Sequence, residues 1–141
     1  MAELTIVRGL PGSGKTTWAK AQKNAWRVNR DDIRAQYTGV WDYNDRQMEN
    51  LVTTLQFERI KELLEKDCHV IVDDVNLDWT HVQLLIRLAT SMRSRTVVVQ
   101  VKEFLHVPVL VCIARDAQRL NPVGEDVIKG MYDKYMGGED A

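Results

Sequence analysis

Residues 9–17 read Gly-Leu-Pro-Gly-Ser-Gly-Lys-Thr-Thr, and within them Gly9, Gly14, Lys15 and Thr16 satisfy the spacing GxxxxGK[ST]. Small residues at these places let successive backbone N–H groups turn inward and surround phosphate oxygens. The stretch therefore predicts a cradle for a nucleoside triphosphate, built from Gly12, Ser13, Gly14, Lys15, Thr16 and Thr17. Lys15 is expected to neutralise charge on the β and γ phosphates, Thr16 to offer its hydroxyl to Mg²⁺, and the following helix to direct its positive end at the anion. A glycine-rich turn also arises without function, so the flanks decide. Leu4 to Arg8 is a β-branched run that reads as a strand, and a helix is expected from about Thr16 to Asn24, which is the context the motif requires.

Outward from this loop the pattern alternates. Ala25 to Asn29 supplies a short second strand, and Asp31 or Asp32 opens a helix that Gly39 ends. The segment TGVWDYND, residues 38–45, reads as a loop carrying Trp41 and Tyr43. From Arg46 to Lys66, Met48, Leu51, Val52, Leu55, Ile60, Leu63 and Leu64 recur at helical spacing. Cys68 to Asp73 is a nearly continuous apolar strand, as expected when helices cover both faces of a sheet. Asp78 can cap a helix whose Trp79, Val82, Leu85, Ile86 and Ala89 share a face, and Thr96 to Lys102 returns as a strand. After Pro108 come a helix containing Arg115 and Arg119 and a last helix from about Gly124 to Tyr135. Such βαβα alternation predicts a parallel sheet flanked by helices, with ligands at the carboxyl ends of the strands.

The chain has 141 residues, which fits one domain over 1–141. Hydrophobic residues make up 45% and charged residues 28%, and no apolar run is long enough to cross a bilayer. The start lacks the features of a signal peptide, so a cytoplasmic location is expected. A formal net charge of −1 excludes a positively coated protein, and any nucleic acid must be held locally. The two cysteines, Cys68 and Cys112, have no metal-ligand spacing and read as reduced core thiols.

The loop alone does not separate a kinase from a GTPase or a motor ATPase. Guanine-reading NKxD is absent, and the chain is short for an oligomeric ATPase, which makes kinase the leading class. On the acceptor side, Asn29-Arg30-Asp31-Asp32-Ile33-Arg34 puts Asp31 and Arg34 on one face of a helix. A carboxylate there can orient or deprotonate a hydroxyl, and an arginine can grip a phosphate by two parallel hydrogen bonds. The same spacing also suits an ordinary N-cap with a surface ion pair.

GLPGSGKTTWA at 9–19, NRDDIR at 29–34, VIVDDVNLD at 70–78 and VPVLVCIARDAQR at 107–119, with NPVGEDVIKGMYDKY at 121–135, occur in an order that resembles the 5′-hydroxyl polynucleotide kinases of bacteriophage end-healing enzymes. The resemblance implies an α/β P-loop kinase fold with a helical lid over about 107–121. It implies Asp31 as general base, Arg34 on the phosphate of the terminal nucleotide, and Asp74 in the shell of the Mg²⁺. It further places Asn76 near substrate or strand ends, Arg119 over the triphosphate, and Arg115 near the adenine, while Asp73 receives no role. ATP with Mg²⁺ and the 5′ ends of DNA or RNA are the implied ligands, and for a phage protein the location is the host cytoplasm. No DxDxT occurs, so a kinase without the 3′-phosphatase is expected. The lid's first turn, Val109-Leu110-Val111, is more apolar than in the relatives. Trp41 and Tyr43 suit either base stacking or packing as loop anchors. Two rival functions remain: a kinase of another alcohol (a hydroxymethylated base, a nucleoside or a small metabolite) and a non-catalytic module switched by ATP.

Overall fold

A computed structural model describes residues 1–36 and 45–137. The strands are β1 (Glu3–Arg8), β2 (Trp26–Val28), β3 (His69–Asp73) and β4 (Val98–Glu103). The helices are α1 (Lys15–Lys20), α2 (Arg30–Arg34), α3 (Arg46–Glu65), α4 (Trp79–Thr90), α5 (Val109–Ala117) and α6 (Glu125–Tyr135). Trp41 and Tyr43 lie outside the described residues.

The strands form one parallel sheet in the order β2-β3-β1-β4, with Leu4 opposite both Val70 and Val99. Side chains alternate along β1. Leu4 and Ile6 join Val70 and Val72 on one face and pack against Ile60 and Leu64 of α3 and Val82, Leu85 and Ala89 of α4. Val7 and Ile71 point to the other face, against Ala19 of α1. Burial of each Leu, Ile or Val side chain stabilises by roughly 1.5–3 kcal/mol, so this two-sided packing is what makes β3 an unbroken apolar run.

A third cluster sits at the carboxyl end of the sheet. There Leu10 after β1, Leu77 after β3, Cys112 of α5 and Ile128 of α6 are all buried, so the loops that leave the strands are tied to the last two helices. Helix starts follow the expected chemistry: Asp78 accepts from Thr80 N, Asp45 from Gln47 N and Met48 N, and Asn29 from Asp32 N. Each such cap contributes about 1 kcal/mol.

Several expectations need correction. α1 stops at Lys20 rather than near Asn24, and Arg119 lies beyond the end of α5. The buried row of α3 is Val52, Gln56, Ile60 and Leu64 together with Leu63, whereas Leu51 is 44% exposed. Trp79 is 48% exposed rather than in the core, because its ring serves as a platform for the Arg8 guanidinium 5.1 Å away. Cys112 is buried, but Cys68 is only half-buried. Among the described residues no helix is long and apolar enough to cross a membrane.

Candidate active site

The phosphate loop leaves β1 with Gly9 N bonded to Val75 O at 3.0 Å, which ties it to the end of β3. Gly12 (φ 83°) and Gly14 (φ 97°) both occupy left-handed backbone, the conformation that turns the loop and that side-chain-bearing residues adopt with strain. Lys15 opens α1, is 9% exposed, and donates from Nζ to Leu10 O at 3.4 Å. Burial pushes its pKa below the ordinary lysine value. Asp73, Asp74 and Asp31 oppose that lowering, in that order of strength, and the positive charge of Arg119 adds to it. Four charged residues from three separate segments therefore act on one ammonium group.

α5 rests on this loop. A Cβ at Gly12 would collide with the carbonyl of Cys112, and one at Gly14 would come within 3.8 Å of Arg115 Nη1. Only glycine permits the first approach. In the apolar first turn of α5 Val109 packs into the cluster of Leu10 and Ile128, while Leu110 is 70% exposed. The turn after α5 is fixed by Asp116, which is 1% exposed. It accepts from Val123 N at 3.0 Å and Gly124 N at 2.9 Å, and its Oδ1 lies 3.5 Å from Arg119 Nη1. Asp116 was not singled out by the sequence, although an acid at a helix end three residues before an arginine is a readable signal.

The acidic pair after β3 splits between the two faces of the sheet. Asp73 lies two residues beyond Ile71 and so on the α1 face. Its Oδ2 accepts from Arg27 Nε at 2.6 Å, and its Oδ1 is buried with no partner. Asp74 turns the other way, accepting from Arg30 N at 2.9 Å and from Gln56 Nε2 at 2.6 Å. Burial pushes its carboxyl above the usual carboxylate range, against those two donors and the charge of Arg30. Asp73, to which the resemblance assigned no role, thus has an oxygen to offer, while both oxygens of Asp74 are engaged. The Asn76 amide is turned inward: Nδ2 donates to Val7 O at 2.8 Å and Val72 O at 3.4 Å, and the residue is 4% exposed. It clamps the ends of β1 and β3, so the strand-end role fits its geometry and its Nδ2 is not presented to a substrate.

On α2, Arg34 donates from Nη1 to Asp31 Oδ1 at 2.8 Å, and its Nε and Nη2 edge is clasped by Glu49 of α3. Arg30 reaches the same Glu49 and bonds Thr53 Oγ1 at 2.8 Å. Asp31 itself is 80% exposed at the side chain. Glu49 was missed by sequence because its partners lie 15 and 19 positions away.

Among the described residues no three His, Cys, Asp or Glu side chains gather as a metal-binding group. Mg²⁺ is bound through one or two carboxylates with substrate phosphates and water. The unpaired Oδ1 of Asp73, on the α1 face that also carries Thr16, is a suitable donor.

Comparison with known proteins agrees with this architecture. The chain is 24% identical over 148 residues to a putative bifunctional polynucleotide kinase/RNA ligase of Autographa californica nuclear polyhedrosis virus, a match covering 95% of this chain and 21% of that protein. It is 30% identical over 140 residues to the L-seryl-tRNA(Sec) kinase of Methanococcus maripaludis, covering 94% and 52%. Two solved structures of the Pnkp1/Rnl/Hen1 complex, the second described as an RNA repair complex, contain similar chains. One has a TM-score of 0.68 at 28% identity, covering 85% of this chain and 41% of that one; the other has 0.79 at 25%, covering 99% and 45%. The chain spans about a fifth to about half of the length of these relatives. A family model described as an AAA domain matches residues 4–136. With the parallel sheet and the phosphate loop at the tip of β1, that match shows that the chain belongs to this AAA domain family and is an ATP-binding domain of P-loop kinase fold.

Proposed function

We propose that the chain transfers the γ-phosphoryl group of ATP to a 5′-hydroxyl end of DNA or RNA. The observation that carries the reading is the pairing on α2, where the Asp31 carboxylate accepts from Arg34 Nη1 at 2.8 Å at the carboxyl end of the sheet, the end that also bears the Lys15 loop. An acceptor hydroxyl between Lys15 and Asp31 gives its proton to Asp31 as its oxygen bonds to the γ-phosphorus, while the bond to the β-γ bridging oxygen breaks and ADP leaves. Lys15, Arg115 and Arg119 act on the triphosphate charge, within the cradle of Gly12, Ser13, Gly14 and Thr17. Arg34 holds the phosphate that follows the terminal nucleoside by an edge shared with, or exchanged from, its acidic partners. Thr16, Asp73 and Asp74 would hold Mg²⁺, which would supply charge neutralisation to the triphosphate.

γ-Labelled ATP offered with oligonucleotides bearing a 5′-hydroxyl or a 5′-phosphate tests the reading. Label is expected only on the former; ATP turnover with no labelled acceptor overturns it. A second reading, a kinase of an alcohol carried on tRNA, is favoured by the archaeal seryl-tRNA relative. Seryl-tRNA in the same acceptor series decides between them.

A further inference from the structure

α6 carries two apolar stripes, and the core accounts for one of them. Ile128, Tyr132 and Met136 pack into the cluster with Leu10 and Cys112. An adjacent face carries Val127, Gly130, Met131 and Tyr135 at helical spacing; Met131 is half-buried against the same cluster, while Val127 and Tyr135 remain 47% and 39% exposed. This face lines a cleft of about 700 Å³ together with polar Arg30, Thr53, Asp74, Asp78 and His81 and apolar Val75 and Leu77. Clefts of roughly 300–1,000 Å³ hold small organic ligands.

Three features say what fits. The lining is mixed: apolar side chains of α6 stand with hydrogen-bonding groups, among them His81 Nε2, which is buried without a partner. The charges nearly balance, with Arg30 and Lys134 against Glu49, Asp74 and Asp78, so the cleft does not select a polyanion. One end adjoins the proposed acceptor groups, since Arg30, the residue before Asp31, and Glu49, which is bonded to Arg34, both line the cleft. A ligand with an apolar flat face, a polar edge and a hydroxyl at one end has the form of a nucleoside.

We propose that this cleft is the subsite for the terminal nucleoside of the acceptor strand, with its base against Val127, Met131 and Tyr135 and with Gly130 leaving the space that the ring enters. This rests on the 5′-hydroxyl kinase reading and specifies where the acceptor lies. Gly130 is suited to the test because a Cβ there meets nothing within 4 Å, and replacing a glycine inside a helix favours the helix.

The experiment measures KM for a 5′-hydroxyl oligonucleotide, Kd for ATP and the thermal midpoint of Gly130→Phe, with Gly130→Ala as the small-volume comparison. Gly130→Phe is expected to raise the oligonucleotide KM by roughly tenfold or more, with ATP affinity within about twofold of the parent. Gly130→Ala, which adds one carbon to the same wall, is expected to raise the oligonucleotide KM by less than Gly130→Phe does. In parallel, the unaltered protein receives an oligonucleotide whose 5′-terminal residue is abasic, for which KM is expected to rise by a similar factor. This second arm does not depend on the folding of any variant. Equal KM values for the abasic and the intact terminus overturn the subsite, as does a folded Gly130→Phe protein with the parent's KM. Absence of any labelling of intact 5′-hydroxyl ends by the parent protein is a different result, because it overturns the kinase reading on which the subsite rests.

Discussion

Arg34 and Asp31 are bonded to one another, Nη1 to Oδ1 at 2.8 Å, while Glu49 closes over the other edge of the same guanidinium. The arginine proposed to grip an acceptor phosphate is thus already oriented, and the carboxylate proposed to take a proton is already oriented by it. Exposed ion pairs contribute little, but Arg34 is 15% exposed at its side chain and Glu49 23%, so this cluster works in a less screened setting. Its value is positional: two functional groups on a five-residue helix are held by a third on the far longer α3.

Replacing Glu49 with Gln keeps the shape and removes the charge. Arg34 is then expected to lose its fixed geometry, with the acceptor KM rising by roughly tenfold, about 1.4 kcal/mol, and ATP affinity unchanged. Steady-state kinetics with each substrate varied in turn check this. A loss confined to kcat would instead place Glu49 nearer the chemistry.

Asp31→Asn should lower kcat by about 10²–10⁴-fold, the range for removal of a general base, and leave ATP binding and the thermal midpoint near the parent values. Lys15→Ala should abolish transfer together with tight ATP binding. Equal kcat in the parent and Asp31→Asn would remove that carboxylate from the reaction, and Arg34 would then be its only reason to sit where it does.

The sequence made the phosphate loop legible because that site is built from one contiguous stretch of backbone, so spacing alone encodes the geometry. The sheet was legible from Leu4, Ile6, Val70 and Val72, whose burial follows directly from apolar runs of strand length. Residues whose role depends on distant partners were not. Gln56 occupies a core position on α3 because Asp74, 18 positions away, needs a donor there, and a pattern reader expects an apolar residue. Asp73 was readable in principle: period two from Ile71 puts it on the α1 face. The resemblance drew attention to Asp74 instead.

Gly12→Ala tests the seat of the lid. The substitution forces a side chain onto backbone at φ 83° and into the Cys112 carbonyl, which belongs to a helix backbone and yields little. Destabilisation of about 1–3 kcal/mol is expected, read as a lowered thermal midpoint, with weaker ATP binding because loop and lid are displaced together. An unchanged midpoint would show that α5 does not press on the loop.

Asp116→Ala leaves Val123 N and Gly124 N without their charged acceptor, a loss of about 1.5–3 kcal/mol. Hydrogen exchange at these two amides and through the first turn of α6 should quicken selectively. Asp116→Asn retains one acceptor oxygen and should fall between. Because Arg119 stands in the turn that Asp116 fixes, kcat should decline in the same order, and kcat unchanged in the face of quickened exchange would separate the turn from catalysis.

The pH dependence at Asp74 has a definite sign. Its carboxyl titrates above its unfolded value of 3.8 because burial disfavours the charge. For a group raised on folding, the stability it contributes is fully present below the unfolded value and is lost as pH rises through the folded one. At neutral pH the buried carboxylate is therefore a burden that Arg30 N and Gln56 Nε2 only partly relieve. Asp74→Asn removes the charge, keeps one oxygen for Arg30 N, and can donate to Gln56 Oε1, which is buried without a partner. The variant should melt above the parent at pH 8, and the gap should close as pH falls towards 3.8 and the parent's carboxyl takes up its proton. Melting curves across that range decide the matter: a gap of constant size means that the substitution acts through packing and hydrogen bonds alone, and that burial of the charge at Asp74 exerts no strain on the fold.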